Sequence, residues 1–222
     1  MTRMTRRLTA ACAALTLAAV PLVAQERGNA NATGIKVHGH WTIDVRKADG
    51  TLVSHHEFEN ALTSTGGLGL AQLLARAYTA GGWGILLDGG VCQGQLIGGV
   101  CIIQEPSAPA GGGQDSSDLS VSVPAAGQAN AGLLVLKGSV TAQLAGQITT
   151  VRTRQSSCLP NASQTLGELT VSQCAAIAYM GIIQGNPHIF DVTAHTITPS
   201  PIAVDAGQFI QVTVVISFTS AS

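Results

Sequence analysis

The chain reads as mainly β, an antiparallel β-sandwich or jelly-roll-like fold with one short helix after the first hairpin, and three observations predict it. Residues 35–46 alternate between apolar and polar, an Asp49-Gly50 pair follows almost at once, and residues 210–218 alternate again near the far end. Between them lie short apolar runs separated by many of the 26 glycines and 8 prolines, which is turn chemistry. No repeat of fixed period interrupts this pattern.

Taken in order, the chain begins with a leader. Arg3, Arg6 and Arg7 precede an apolar run from Leu8 to Val23, the layout of a secretory signal peptide over residues 1–24. Cleavage after Ala24 fits this layout, as does a later cut at Ala30-Asn31-Ala32, as far as residue 32. The run contains Pro21 and falls short of the roughly 20 apolar residues of a stable span, so it is not read as an anchor. Leu8 to Cys12 is loosely lipobox-like, but almost no apolar segment precedes Cys12, which disfavours lipidation. Residues 25–34, QERGNANATG, read as a polar, flexible N-terminus, and residues 35–222 as a single β-rich domain.

Removing the leader takes away three arginines and no acids, so the formal net charge falls from −1 to −4. A mildly acidic chain without basic clusters argues against nucleic acid as a partner, because such binding rests on Lys and Arg against phosphate. No later segment is long and apolar enough for a membrane span.

Ile35, Val37, Gly39, Trp41, Ile43 and Val45 form one face of the first strand, and Lys36, His38, His40, Thr42, Asp44 and Arg46 the other. Asp49-Gly50 predicts a two-residue type I′ hairpin loop, with a return strand from Leu52 to Leu62. In that register Trp41 faces Phe58, Val37 faces Leu62 and Ile43 faces His56 inside, while His40 meets Glu59, Thr42 meets Glu57 and Asp44 meets His55 outside. Both faces are complementary in this register, and a one-residue slip would invert them.

After Asn60 the period lengthens. Ser64 or Thr65 is expected to cap a helix whose stripe is Leu70, Leu73, Leu74, Ala77 and Tyr78, ending at Gly81-Gly82 and covering one face or opening of a sheet. WGILL and VCIIQE then read as strands around a Gly-rich segment. Residues 106–118, PSAPAGGGQDSSD, read as a flexible Pro/Gly/Ser loop within the domain. LSVSVP follows, and LLVLKGSVTAQL and QITTVRTRQ read as a hairpin about Ala145-Gly146. ELTVSQCAAIAYMGII is assigned as a strand from Thr170, Val171 and Ile177. After a Gly207 turn, Ile210, Val212, Val214, Ile216 and Phe218 make the inner face of the last strand.

Outside the leader the cysteines are Cys92, Cys101, Cys158 and Cys174, an even number in an oxidising compartment, which favours disulfides. The local pairings Cys92 with Cys101 and Cys158 with Cys174 are preferred among three connectivities. A zinc site would need close pairs such as Cys-x-x-Cys, and the sequence has none.

Four of the six histidines crowd into residues 38–60. His38, His40 and His55 share the outward face of the hairpin, so a surface transition-metal site is the alternative to a solvated, charge-complementary face, which is the preferred reading. His56 points inward as a core or rim residue. Asp191 and His195 are expected on one face of another strand, about 13 Å apart and too far for a dyad. His188 adds little, and Glu57 with Glu59 reads as polar surface rather than a glycosidase pair. No nucleophile elbow, zinc-protease helix, phosphate loop or dinucleotide fingerprint occurs. Trp41, Phe58 and Phe218 fall on faces read as buried, which leaves Trp83 and Tyr179 as the only candidates for stacking a sugar, and packing is the preferred role for both.

The stretch WTIDVRKADGTLVSHHEFENALTSTGGLGLAQLLAR and the closing AGQFIQVTVVISFTSAS resemble phage tail and virion-associated β proteins, over about a third of the chain. The resemblance implies a β-rich structural or attachment module with no catalytic residues to carry over; the leader departs from it and implies a secreted bacterial form. The last strand also resembles the terminal strand of chaperone–usher pilins, but the polar QERGNANATG lacks the alternation of a donor strand. The expectation is therefore an exported, secreted or periplasmic, non-enzymatic protein without a cofactor, structural, adhesive or surface-assembling. Its partners would be its own copies or other surface proteins. The alternatives are a metal-binding or hydrolytic protein using His38, His40 and His55, and a small glycan-binding module.

Overall fold

In the computed structural model the elements among the described residues follow in the order β1 (Ile35–Arg46), β2 (Leu52–Leu62), α1 (Ser64–Leu74), β3 (Thr79–Asp88), β4 (Val100–Gln104), β5 (Ser120–Ser122), β6 (Leu134–Thr141), β7 (Gly146–Ile148), β8 (Thr150–Cys158), β9 (His188–Thr196), β10 (Ile202–Val204) and β11 (Phe209–Ser220). The structure describes residues 35–93, 98–106, 115–158, 174 and 188–220. Residues 1–24 read as a leader, residues 25–34, Tyr179 and the segment read as a strand around Cys174 lie outside them, apart from Cys174 itself.

Nine strands form one sheet in the order β4-β3-β8-β9-β2-β1-β11-β6-β5, and β10 and β7 form a small second sheet. All strand pairs among the described residues are antiparallel, in keeping with the expected antiparallel fold. The nine-stranded sheet curls so that its inner face encloses the core, which includes Trp41, Ile43, Ile85, Leu87, Ile103, Leu136, Val151, Ile210 and Val214. Leu86, Val100 and Ile102 form a second small apolar cluster on the opposite face of β3 and β4.

The curl is closed by residues that read as loop. Asp115 N and Ser116 N donate to Ile102 O, Gln104 N to Ser116 O, and Leu119 N to Gln104 O, all at 2.9–3.1 Å, so 115–119 lies along β4 at one end of the sheet. The next three residues are β5, paired with β6 at the other end. The end of the expected 106–118 loop is thus a seam that joins the two edges. Gly138 on β6 makes room for it: a Cβ there would approach Ile103 Cγ2 to 2.7 Å and Leu119 Cδ1 to 3.2 Å. Joining the edges removes the open rows of N–H and C=O groups that invite aggregation.

The first hairpin has the expected register from His40–Glu59 to Asp44–His55, with Trp41 opposite Phe58 and Ile43 opposite His56. The ladder begins at His38, so the expected Val37–Leu62 pair is absent from it. The turn itself differs. Only Gly50 has positive φ (85°), and Gly50 N donates to Lys47 O while Lys47 N donates to Thr51 O, both 2.9 Å. This is a three-residue loop with a glycine in the left-handed position rather than a type I′ turn. The register survives because a bulge after Val45, where Arg46 pairs with Leu52, leaves Val53 unopposed and offsets the longer loop.

Other expectations are corrected by long-range pairing. LLVLKGSVTAQL and QITTVRTRQ do not form a hairpin: β6 pairs with β11 and β5, β7 with β10, and β8 with β3 and β9. On β11 the alternation holds through Ile216, but Phe218 is 50% exposed. The helix starts one residue early: Thr63 is the N-cap, accepting at Oγ1 from Gly66 N at 2.8 Å. It also ends early, because Arg76 takes φ of 56° and Thr79 already opens β3, so Ala77, Tyr78 and Gly81-Gly82 lie outside it. Leu70 of the expected stripe packs against the core, but the face docked on β9 is glycine. Gly66 and Gly69 are buried while Leu74 is 83% exposed, and a Cβ on Gly66 or Gly69 would collide with the Val192 backbone or the Phe190 ring of β9.

Both preferred disulfides are present, Cys92–Cys101 and Cys158–Cys174. No helix among the described residues is long and apolar enough to cross a membrane.

Candidate functional site

The outward face of the hairpin carries the histidines but does not gather them. His38 and His40 are exposed on β1; His40 stands opposite Glu59 and His55 opposite Asp44, four residues further along. His55 Nδ1 lies 2.6 Å from Asp44 Oδ1 and its Nε2 3.3 Å from Glu57 Oε1, while Arg46 holds the other Asp44 oxygen at 2.7 Å. The hydrogen bond to Asp44 pushes the His55 pKa up, against slight desolvation, and the same bond is the leading cause that holds Asp44 below the usual carboxylate range. His55 is thus engaged by carboxylates. Among the described residues no group of three His, Cys, Asp or Glu side chains could hold a metal ion.

His56 is half-buried beside Ile43, and desolvation, with the nearby His55 charge second, pushes its pKa down. His195 stacks on Phe58 with centroids 4.6 Å apart, and Phe58 on Trp41 at 6.0 Å. Asp191 and His195 do not share a face as expected. Between Thr153–Thr193 and Arg154–Asp191 the register shifts past Val192, which turns Asp191 outward with the arginines while His195 pairs with buried Val151. The His188 side chain lies outside what is described.

Inside the sheet, Asn60 joins three strands. With its amide nitrogen donating to Gly39 O (3.1 Å), its oxygen accepts from Trp41 Nε1 (2.8 Å) and Thr193 Oγ1 (3.0 Å). Thr193 N donates to Thr153 Oγ1 at 3.1 Å and the two hydroxyls meet at 2.7 Å, so protons run from Thr153 to Thr193 to Asn60. Every member of this buried chain is satisfied, which marks it as a structural tie. Trp83 is half-buried and packs against the core, and its backbone N–H donates to Glu105 Oε2 at 2.6 Å.

A groove of about 590 Å³ between α1 and β9 was not foreseen. Thr65, Leu68 and Gln72 line one wall, Ile189 and Phe190 the other, and Arg154 and Asp191 lie within it. Thr63 fixes its geometry: its N–H donates to Val192 O at 2.9 Å and its hydroxyl to Asp191 O, so the helix starts where the β9 bulge turns Asp191 out. Arg152 binds Asp88 through Nε (3.0 Å) and Nη2 (2.8 Å) and reaches Asp191 Oδ2 at 3.1 Å. Desolvation weighs against the Arg152 charge, but the hydrogen bonds from these two carboxylates outweigh it and raise its pKa. Arg154 is left 3.6 Å from Asp191 Oδ1, and its buried Nε has no hydrogen-bond partner.

The sequence signal for this cluster was present in VRTRQ, whose two-residue period puts Arg152 and Arg154 on one face. Its acids come from strands 64 and 39 residues away in sequence, so no local spacing connects them. Searched against protein-family models, curated proteins and solved structures, the chain finds no match, so the geometry stands without a relative to interpret it.

Proposed function

We propose that the chain is an exported, non-enzymatic β protein that acts by binding or assembly at a surface, in a structural or adhesive role. The observation that carries this reading is the seam: residues 115–122 join both edges of the nine-stranded sheet, and the Cys92–Cys101 disulfide ties β4 to the segment after β3. Such a body suits an oxidising compartment, where disulfides persist. It also bears on how association would occur. The β11 strand is paired on both sides over Phe209–Ile216, with β1 and with β6, so that stretch leaves no vacant lane for a donor strand. Contacts would use faces and loops instead. The resemblance to phage tail proteins fits the same role.

The test is to purify the oxidised chain and measure its mass by light scattering, with metal content on the same sample. A defined oligomer or filament without bound metal is expected. A monomer carrying one equivalent of transition metal, lost on changing His38, His40 and His55 to Gln, would overturn the reading in favour of a metal protein.

A further inference from the structure

We propose that the groove between α1 and β9 binds a small organic monocarboxylate with an apolar or aryl body, held by Arg154. The proposal stands on the groove's own geometry and is independent of the structural role above. A buried guanidinium N–H without an acceptor is costly, and Arg154 Nε is such a group. The nearest carboxylate cannot satisfy it, because Asp191 is drawn toward Arg152 at 3.1 Å and leaves Arg154 at 3.6 Å. No hydrogen bond to a described residue uses the rest of this guanidinium. Its planar fork matches the two oxygens of a carboxylate.

Asp191 sets the charge that fits. Arg152 and Arg154 with Asp88 and Asp191 leave no net charge, so a monoanion would be held by the Arg154 hydrogen bonds, while Asp191 repels a doubly charged phosphate more strongly. The walls set the body of the ligand. Leu68 is 61% exposed and Ile189 47%, large apolar side chains that line the groove together with Phe190 and polar Thr65 and Gln72. Gly69 permits this, since any larger residue there would displace the Phe190 ring. A volume of about 590 Å³ lies within the range of small-molecule sites.

The experiment titrates the full oxidised chain, labelled with nitrogen-15, with benzoate and octanoate, and in parallel with benzamide and inorganic phosphate. Saturable shifts of the Leu68, Gln72 and Ile189 amides are expected from both carboxylates, with benzamide and phosphate weaker by about tenfold or more, the equivalent of losing one charge-assisted contact. Arg154→Gln should weaken the carboxylates to the level of benzamide. Leu68→Glu, on an exposed position, should weaken them as well by placing a second acid at the mouth, and it serves if Arg154→Gln fails to fold. No saturable shift at about 10 mM ligand, where even weak sites with millimolar constants fill, would overturn the proposal. So would equal binding of phosphate or benzamide, or carboxylate binding unchanged in a folded Arg154 or Leu68 variant.

Discussion

The first hairpin and the seam do similar work by different means. β1 and β2 find each other through a two-residue period carried by their own side chains: Trp41 on Phe58 inside, His40 by Glu59 and Asp44 by His55 outside. The seam has no period. It is held by backbone bonds from 115–119 to β4 and by two aspartates aimed at the main chain: Asp115 Oδ2 accepts from Ile102 N at 2.9 Å, and Asp118 Oδ1 accepts from Ser139 N at 3.0 Å and from Ser116 Oγ at 2.7 Å. Side-chain pattern specifies a local pair, whereas closure over long range is specified by a few directed polar contacts.

The largest expected effect lies on the hairpin side. Trp41 is fully buried, stacks on Phe58 and donates to Asn60, so Trp41→Ala should cost about 3–5 kcal/mol and lower the denaturant midpoint of the whole domain. A loss below about 1 kcal/mol, the scale of a surface change, would mean that the core does not depend on the hairpin face.

A smaller and local effect is expected at the seam. Asp118 lies at an exposed position, so Asp118→Ala should cost about 1 kcal/mol, the net worth of a typical hydrogen bond, and loosen the join rather than the fold. Hydrogen exchange is the readout: the Gln104 and Leu119 amides should lose protection while those of β1 and β11 keep theirs. Uniform loss along all strands would show that seam and hairpin open as one unit.

The contrast also explains what the sequence revealed. Strand faces, the hairpin register and both local disulfides follow from short-range pattern, and they were legible. The partners of β6, β7 and β8 were not, because adjacency in sequence suggested a hairpin where the sheet places β11, β10, β3 and β9. The helix misled for a related reason: leucines at helical spacing outweighed Gly66 and Gly69, whose value comes from how closely β9 approaches. The Arg154 groove was hidden because the Val192 bulge, invisible to a strict two-residue period, is what turns Asp191 toward the arginines.

The smallest effect concerns pH and tests how far the outer hairpin face contributes. His55 has its folded pKa raised above the ordinary value of about 6.5, so its contribution is complete below that value and fades as pH rises through the folded pKa. Asp44 has a lowered pKa, so its share is present above its ordinary value of about 4 and is lost as pH falls through the folded one. The pair therefore holds best between about pH 4 and 6.5. Titration of the His55 imidazole by NMR should show a raised midpoint that returns toward the ordinary value in Asp44→Asn; an unmoved midpoint would remove the pair from the account.

The pairing of Ile35 with Ser220 and of Arg46 with Phe209 puts the earliest and latest described strands side by side in the interior of the sheet. During synthesis, β1 and β2 leave the ribosome long before β11 exists, and the hairpin must wait with one long edge bare. Closure is thus a late event governed by the arrival of a single strand, and chains cut short before residue 209 should hold the run β4-β3-β8-β9-β2-β1 without the strand that bridges β1 to β6.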